Sequence, residues 1–235
     1  MFGRIAGAAL AAIMLAACGN GADGARGAHE REGDFAKGRA DAPVTLIEYA
    51  SPACPACAAF RREAGPAIDE AVRQGRLRVV FREMISGEPR LAVAGFMAAR
   101  CAGERRYLDV MDDLLDRQEA IYAAAGQGRA LAELERSAAA GGVSADAFRA
   151  CLSDEAMLAD VEAASQRSAA DGIGVTPSFL INGEALTGAR VQGVSGAVWT
   201  LGGETLEDEG GPIPADFSAD GWRRVIAAAD PGQAP

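Results

Sequence analysis

The sequence is poor in the residues that build metal centres and nucleic-acid surfaces. It holds one histidine, His29, and only one pair of cysteines at close spacing, Cys54 and Cys57. Structural zinc takes four ligands and a lone Cys-x-x-Cys supplies two, so no metal site is expected. His29 lies in a polar, Gly-rich stretch, where it reads as solvated unless that stretch folds back. There is no run of Lys or Arg, and the formal net charge is -10. Nucleic acid is therefore excluded as a partner, because phosphate neutralisation needs clustered positive charge. Aromatic residues make up only 6%, so much of a core must be small aliphatic packing. Nothing in the sequence calls for a cofactor.

What is present is an ordinary globular composition, 49% hydrophobic and 24% charged, in 235 residues. That length allows one large or two small domains. The opening segment, MFGRIAGAALAAIMLAAC, carries one charge, Arg4, and then an apolar run from Ile5 to Ala17. The run is short for a bilayer span and fits the apolar region of a secretory signal. It ends in Leu15-Ala16-Ala17-Cys18, which resembles the bacterial lipoprotein cleavage box, where the cysteine is lipidated and becomes the mature N-terminus. The alternative is an ordinary signal peptide with Cys18 incidental. Either reading of residues 1–18 predicts export to the periplasmic side of a bacterial membrane, an oxidising compartment. Residues 19–42 are Gly-rich, charged and without apolar periodicity, and predict a flexible tether.

From residue 43 the pattern changes to α/β. VTLIEYA is β-branched and apolar, as in a strand buried on both faces. A turn at Ser51-Pro52 leads to a helical stretch from Cys54 to about Gln74, stopped by Gly75, and LRVVFREM reads as a second buried strand. Strand, helix, strand within residues 43–88 implies a right-handed parallel crossover. Residues 89–172 read as an insert of four or five helices, with breaks near Gly103, Gly126, Gly141 and Ser153. Residues 173–235 resume as strand, strand, helix: SFLIN and GEALTG flank an Asn182-Gly183 turn, and SADGWRRVIAAAD is a capped amphipathic helix. Between them, residues 188–217 form a long irregular segment in which VSGAVWTL has the composition of an extra strand.

Five cysteines remain to be allotted. With Cys18 assigned to lipid, Cys101 and Cys151 in the insert most simply pair with each other in an exported protein, two buried free thiols being the rival. For Cys54 and Cys57 a plain staple is a poor role, since bridging positions one turn apart constrains little chain. Redox chemistry has a mechanism. Cys54 sits at a helix start with Pro55 at the first helical position, where a missing N–H costs nothing. Unsatisfied amides and the helix dipole favour a thiolate at Cys54, and Cys57 lies one turn deeper on the same face. Glu48, six residues before Cys54 on the buried strand, is placed to hold or pass a proton, or else to pair with a base such as Arg82.

DAPVTLIEYASPACPACAAF, the helical insert and GVTPSFLINGE together resemble the DsbA family of thioredoxin-fold thiol–disulfide oxidoreductases, from about residue 34 to residue 187 plus the final helix. The resemblance implies a thioredoxin-like fold with a helical subdomain inserted between its βαβ and ββα halves. It implies that Cys54 and Cys57 are the redox pair, Cys54 exposed and Cys57 resolving, and that Pro177 is a cis-proline facing them. Val175, Thr176, Pro55 and Ala56 would then border an extended substrate segment. Glu48 matches the position of an acidic residue under the active site in similar proteins. The partners implied are exported proteins with free thiols and a DsbB-like membrane reoxidant, with the enzyme a monomer. The dipeptide between the cysteines departs from the family: it is Pro-Ala where the best-known oxidising members carry Pro-His. Ala56 offers no charge or hydrogen bond to a Cys54 thiolate, so a moderate oxidant is expected. A reductase or isomerase kept reduced by a membrane partner, and a binding module with a structural disulfide, are the competing readings.

Overall fold

The structure, a computed structural model, describes residues 26–232. The signal segment and Cys18 lie outside the described residues. The chain runs through β1 (Phe35–Lys37), β2 (Val44–Ala50), α1 (Pro55–Arg73) and β3 (Leu77–Glu83). Six helices follow: α2 (Pro89–Cys101), α3 (Glu104–Asp116), α4 (Gln118–Ala125), α5 (Ala130–Ala140), α6 (Ala145–Leu152) and α7 (Glu155–Ala170). The sheet resumes with β4 (Ser178–Ile181), β5 (Glu184–Ala189), β6 (Val198–Leu201) and β7 (Glu204–Thr205). A small ribbon of β8 (Glu207–Asp208) and β9 (Gly211–Pro212) precedes the last helix, α8 (Ala219–Ala228).

β2 is buried along its whole length because it is central, paired in parallel with β3 and antiparallel with β4. The sheet order is β1-β3-β2-β4-β5-β6-β7. Strand alternation sends Val44 and Leu46 to the face covered by α1 and α8, and Ile47 and Tyr49 to the other. The few aromatic residues are concentrated under α1 and α8: the Phe60 ring lies 4.6 Å from Phe179 and 4.8 Å from Trp222. A second core forms where the insert meets the C-terminal end of β2, and it includes Cys54, Cys57, Phe96, Tyr107 and Leu114. The expected thioredoxin-like α/β fold with an inserted helical subdomain is thus the one observed.

Three expectations are corrected. Within 19–42, residues 26–42 are not a free tether. β1 pairs antiparallel with β3, Phe35 stacks on Tyr107 at 3.5 Å, and Asp34 bonds Arg82 at 3.0 Å. Glu30 pairs with Arg78, Arg31 with Asp171 at 2.7 Å, and Lys37 with Asp112 at 2.8 Å. Four of the charges that made the segment look solvated, Glu30, Arg31, Asp34 and Lys37, thus meet partners elsewhere in the fold. The insert has six helices, because α3 and α4 are separated only by Arg117, with no Gly or Pro to mark the break. Residues 188–217 hold the extra strand expected in VSGAVWTL, as β6, but are otherwise not irregular: β7, β8 and β9 follow, and β6 and β7 extend the main sheet.

Candidate active site

Cys54 is the N-cap of α1, in extended conformation, and its Sγ accepts a bond from the Cys57 N–H at 3.4 Å. Pro55 occupies the first helical position, and Pro55 and Ala56 are exposed. Cys57 is buried as expected, but Cys54, expected to be exposed, is only 6% exposed because the Thr176–Pro177 loop lies against its sulfur; both are free thiols. The Thr176–Pro177 bond is cis, and the Thr176 carbonyl oxygen lies 3.2 Å from Cys54 Sγ. Val175, the residue before Thr176, is 70% exposed. The structure therefore brings Cys54 and Cys57 against the Thr176–Pro177 loop, with the exposed Pro55, Ala56 and Val175 adjoining them in the chain.

The two thiols are driven apart in acidity. Cys54 is held down to about 5, chiefly by the hydrogen bond from Cys57, with Thr176 and the amides of Cys57 and Ala56 outweighing its burial. Cys57 is pushed far above the usual thiol range by burial, by its bond to Cys54 and by the charge of Glu48. With Ala at position 56, the groups that favour a Cys54 thiolate are Cys57, Thr176 and the amides at the α1 terminus.

Glu48 lies on the α1 face of β2, in register with Phe81 of β3 and Phe179 of β4. Arg82 is one residue further along and points to the opposite face, where Tyr49 and Asp34 bind it at 2.7 and 3.0 Å. The Glu48–Arg82 pair is therefore ruled out by strand alternation. Glu48 instead borders a cavity of about 30 Å³ shared with Lys37, Arg61 and Asp112, room for one water. Its Oε1 is buried with no protein partner. Burial pushes the carboxyl up to about 8; Asp112 adds to the shift, and Lys37 and Arg61 oppose it. Lys37 is the chain's only lysine. Lys37 and Asp112, each 25% exposed in the side chain, form the outer side of this cluster.

Sequence reasoning missed the residues that hold the turn. Ser51 Oγ donates to the Ser86 carbonyl at 2.9 Å and accepts from the Ala53 N–H at 3.2 Å. Ser86 Oγ is 2.6 Å from Thr176 Oγ1, so the loop after β3 links the turn to the cis-proline loop. Gly87, with φ of 76°, lets that loop press against the Ala53 carbonyl without a Cβ. From α4, Gln118 and Tyr122 bond the turn's carbonyls. None of these carries a local signal; they meet only in the fold. Cys101 and Cys151 are joined as a disulfide between α2 and α6, with 6.0 Å between their Cα atoms.

A buried strand ending in a redox-spaced cysteine pair at a helix N-terminus, faced by a cis-proline, defines a thioredoxin-fold protein of the paired-cysteine class. The family model described as Thioredoxin matches residues 30–198, and the chain belongs to that family. It is 27% identical over 170 residues to a Rickettsia bellii protein named as a protein-disulfide oxidoreductase, a match covering 71% of this chain and 64% of that protein's length. Among solved structures, alpha-DsbA1 of Wolbachia pipientis superposes with a TM-score of 0.61 at 21% identity, covering 84% of this chain and 90% of that one. BdbD of Bacillus subtilis has a TM-score of 0.61 at 16% identity, covering 87% and 96%. At these identities the two structures share the fold of this chain.

Proposed function

We propose that the protein is an exported thiol–disulfide oxidoreductase that passes a Cys54–Cys57 disulfide to folding proteins. The observation that carries this reading is the split acidity of two adjacent thiols, one at an α-helix N-cap and one sealed beneath it. In the oxidised enzyme a client thiolate attacks Cys54 Sγ. A client–Cys54 bond forms, the Cys54–Cys57 bond breaks, and the electron pair leaves on Cys57. Glu48, protonated at neutral pH, gives Cys57 its proton and is recharged through the adjoining cavity. A second client thiolate then attacks the client sulfur of the mixed disulfide and expels Cys54 as a thiolate, a good leaving group at its lowered pKa. Two electrons move from client sulfurs to the enzyme pair. Stabilising the thiolate of the reduced form makes the disulfide oxidising.

Several finer features belong to the same proposal. Residues 1–18 support export and lipid attachment at Cys18. The Cys101–Cys151 disulfide is suited to an oxidising compartment. Among the described residues no helix is long and apolar enough to cross a membrane. Regeneration by a DsbB-like membrane partner and action as a monomer follow from the family resemblance. The name of the Rickettsia protein agrees with the reaction proposed.

The test is disulfide transfer to a reduced, unfolded client, followed by acid trapping and thiol alkylation. Oxidised enzyme should yield client disulfides, Cys57→Ala should accumulate a client–Cys54 adduct when the variant meets a client disulfide, and Cys54→Ala should do neither. In exported protein the pair should be trapped mainly as disulfide. Mainly dithiol would make it a reductase or isomerase, and full biological function of Cys54→Ala would make it a binding module.

A further inference from the structure

The turn that carries Cys54 is buried, so each of its backbone polar groups needs a partner. Ala53 and Cys54 N–H groups bond within the turn, to Ser51 Oγ at 3.2 Å and to the Ser51 carbonyl at 3.1 Å. The Pro52 and Ala53 carbonyls are met from outside by one helix, which also adds a donor to the Cys54 carbonyl, already bonded within α1 by the Cys57 and Ala58 N–H groups at 3.1 and 3.2 Å. Gln118 Nε2 donates to the Pro52 carbonyl at 2.7 Å and to the Cys54 carbonyl at 3.0 Å. The Tyr122 hydroxyl donates to the Ala53 carbonyl at 2.7 Å. Gln118 and Tyr122 are four residues apart on α4 and so share one face of it. Gln118 is 5% exposed, an uncharged donor committed to this turn.

α4 is itself fixed at its start. Arg117, the residue that separates it from α3, pairs with Glu133 of α5 and lies 3.7 Å from Asp113 of α3. At the other end Tyr122 Oη also receives the Glu88 N–H, at 3.4 Å, which ties it to the cap of α2.

We propose that Gln118 and Tyr122 are positioning residues for exchange at Cys54, through which the helical insert holds the catalytic turn in the geometry that keeps the sulfur a thiolate. This rests on the reading of Cys54 as the reacting sulfur. The physical reason is electrostatic. Each carbonyl oxygen carries partial negative charge, and three successive ones belong to the turn that carries the sulfur on which a full negative charge must rest. Donor hydrogens from α4 on all three drain that charge and keep the Pro52 and Ala53 carbonyls turned toward α4. The Cys57 and Ala56 N–H groups then remain the ones aimed at the sulfur. The insert, on this account, tunes the chemistry as well as shaping the surroundings.

The experiment compares the full chain with Tyr122→Phe, which removes a single hydroxyl, and Gln118→Ala. For each, the thiolate absorbance at 240 nm is titrated, the equilibrium with glutathione is measured, and thermal unfolding is recorded. The two variants should raise the Cys54 midpoint by about half a pH unit or more and shift the glutathione equilibrium about threefold or more toward the disulfide. Leu134→Ala, a buried change in α5, should lower the melting temperature and leave the Cys54 midpoint in place. Melting losses in Tyr122→Phe and Gln118→Ala with unmoved titration and equilibrium would overturn the inference and leave α4 a purely structural brace. Parent protein that fails to exchange with glutathione would overturn the oxidoreductase reading, and this inference with it.

Discussion

Glu48→Gln isolates what a neutral buried carboxyl costs this fold. Glu48 titrates at about 8 in the folded protein against 4.5 as a free side chain, with burial the main cause. Between those values the folded state holds a proton that the unfolded state has lost, so stability falls as pH rises through the window. Below 4.5 both states are protonated and the penalty is absent; above about 8 both are ionised and it is complete. At pH 7 the unfolded carboxyl is about 2.5 pH units past its midpoint, which at about 1.4 kcal/mol per unit costs the fold about 3 kcal/mol. Glutamine has the shape of the neutral acid and no proton to lose. Its added N–H₂ faces a cavity with room for water and the carboxylate of Asp112. The reduced variant should therefore be more stable than the parent by about 2–3 kcal/mol at pH 7 and equal to it within about 0.5 kcal/mol at pH 4. Denaturant unfolding at the two pH values measures both. Because Asp112 also titrates upward on burial, the difference between variant and parent, not the parent profile alone, carries the result. A gain that is absent at pH 7, or that persists at pH 4, would refute the placement of a protonated carboxyl in this cavity.

Other outcomes are expected. The thiolate absorbance of the reduced protein should titrate with a midpoint near pH 5, since the bond from Cys57 and the α1 amides favour the ionised Cys54; a midpoint above 8 would contradict the site geometry. Ala56→His should make the disulfide more oxidising against glutathione, because a positive charge beside Cys54 further favours the thiolate of the reduced form. Replacing both Cys101 and Cys151 by Ala opens a loop with a sequence separation of 50 and should lower unfolding stability by about 4 kcal/mol in the chain-entropy account, with the Cys54 titration unmoved. Asp34→Ala removes the carboxylate that bonds Arg82, 8% exposed, and leaves it as carboxylate partner only Asp171 at 4.0 Å, so it should cost about 3 kcal/mol in thermal or denaturant unfolding; a near-neutral result would mean that residues 26–37 are not docked as described.

What the sequence made legible were the elements that bury one face at a regular period. β2, α1, β3, the β4–β5 hairpin and α8 each run long enough for alternation or helical spacing to register, and Cys54 and Cys57 are close enough in sequence to be read as one motif. β1, three residues long, and β7 to β9, two residues each, have no period to read. The α3–α4 break at Arg117 has no breaker residue, so two helices looked like one. Pro177 was placed opposite the cysteines only by family resemblance, because nothing local joins positions so far apart.

The miss at residues 26–42 matters for the chemistry as well as the fold. The segment returns along β3 and carries the chain's only lysine to the cavity that Glu48 faces. There Lys37 and Arg61 oppose the burial that raises the Glu48 carboxyl, and Lys37 bonds Asp112 and Asp69 at 2.8 and 3.1 Å. The proton affinity beneath Cys57 is therefore set by strand, helix, insert and N-terminal strap together. Glu48, Arg61, Asp112 and Lys37 come from four different elements, and the sequence neighbours of each give no hint of the others. A solvated surface charge and a buried one have the same spelling in a sequence. Only the partner distinguishes them, and here the partners lie 32 and 75 residues away from Lys37.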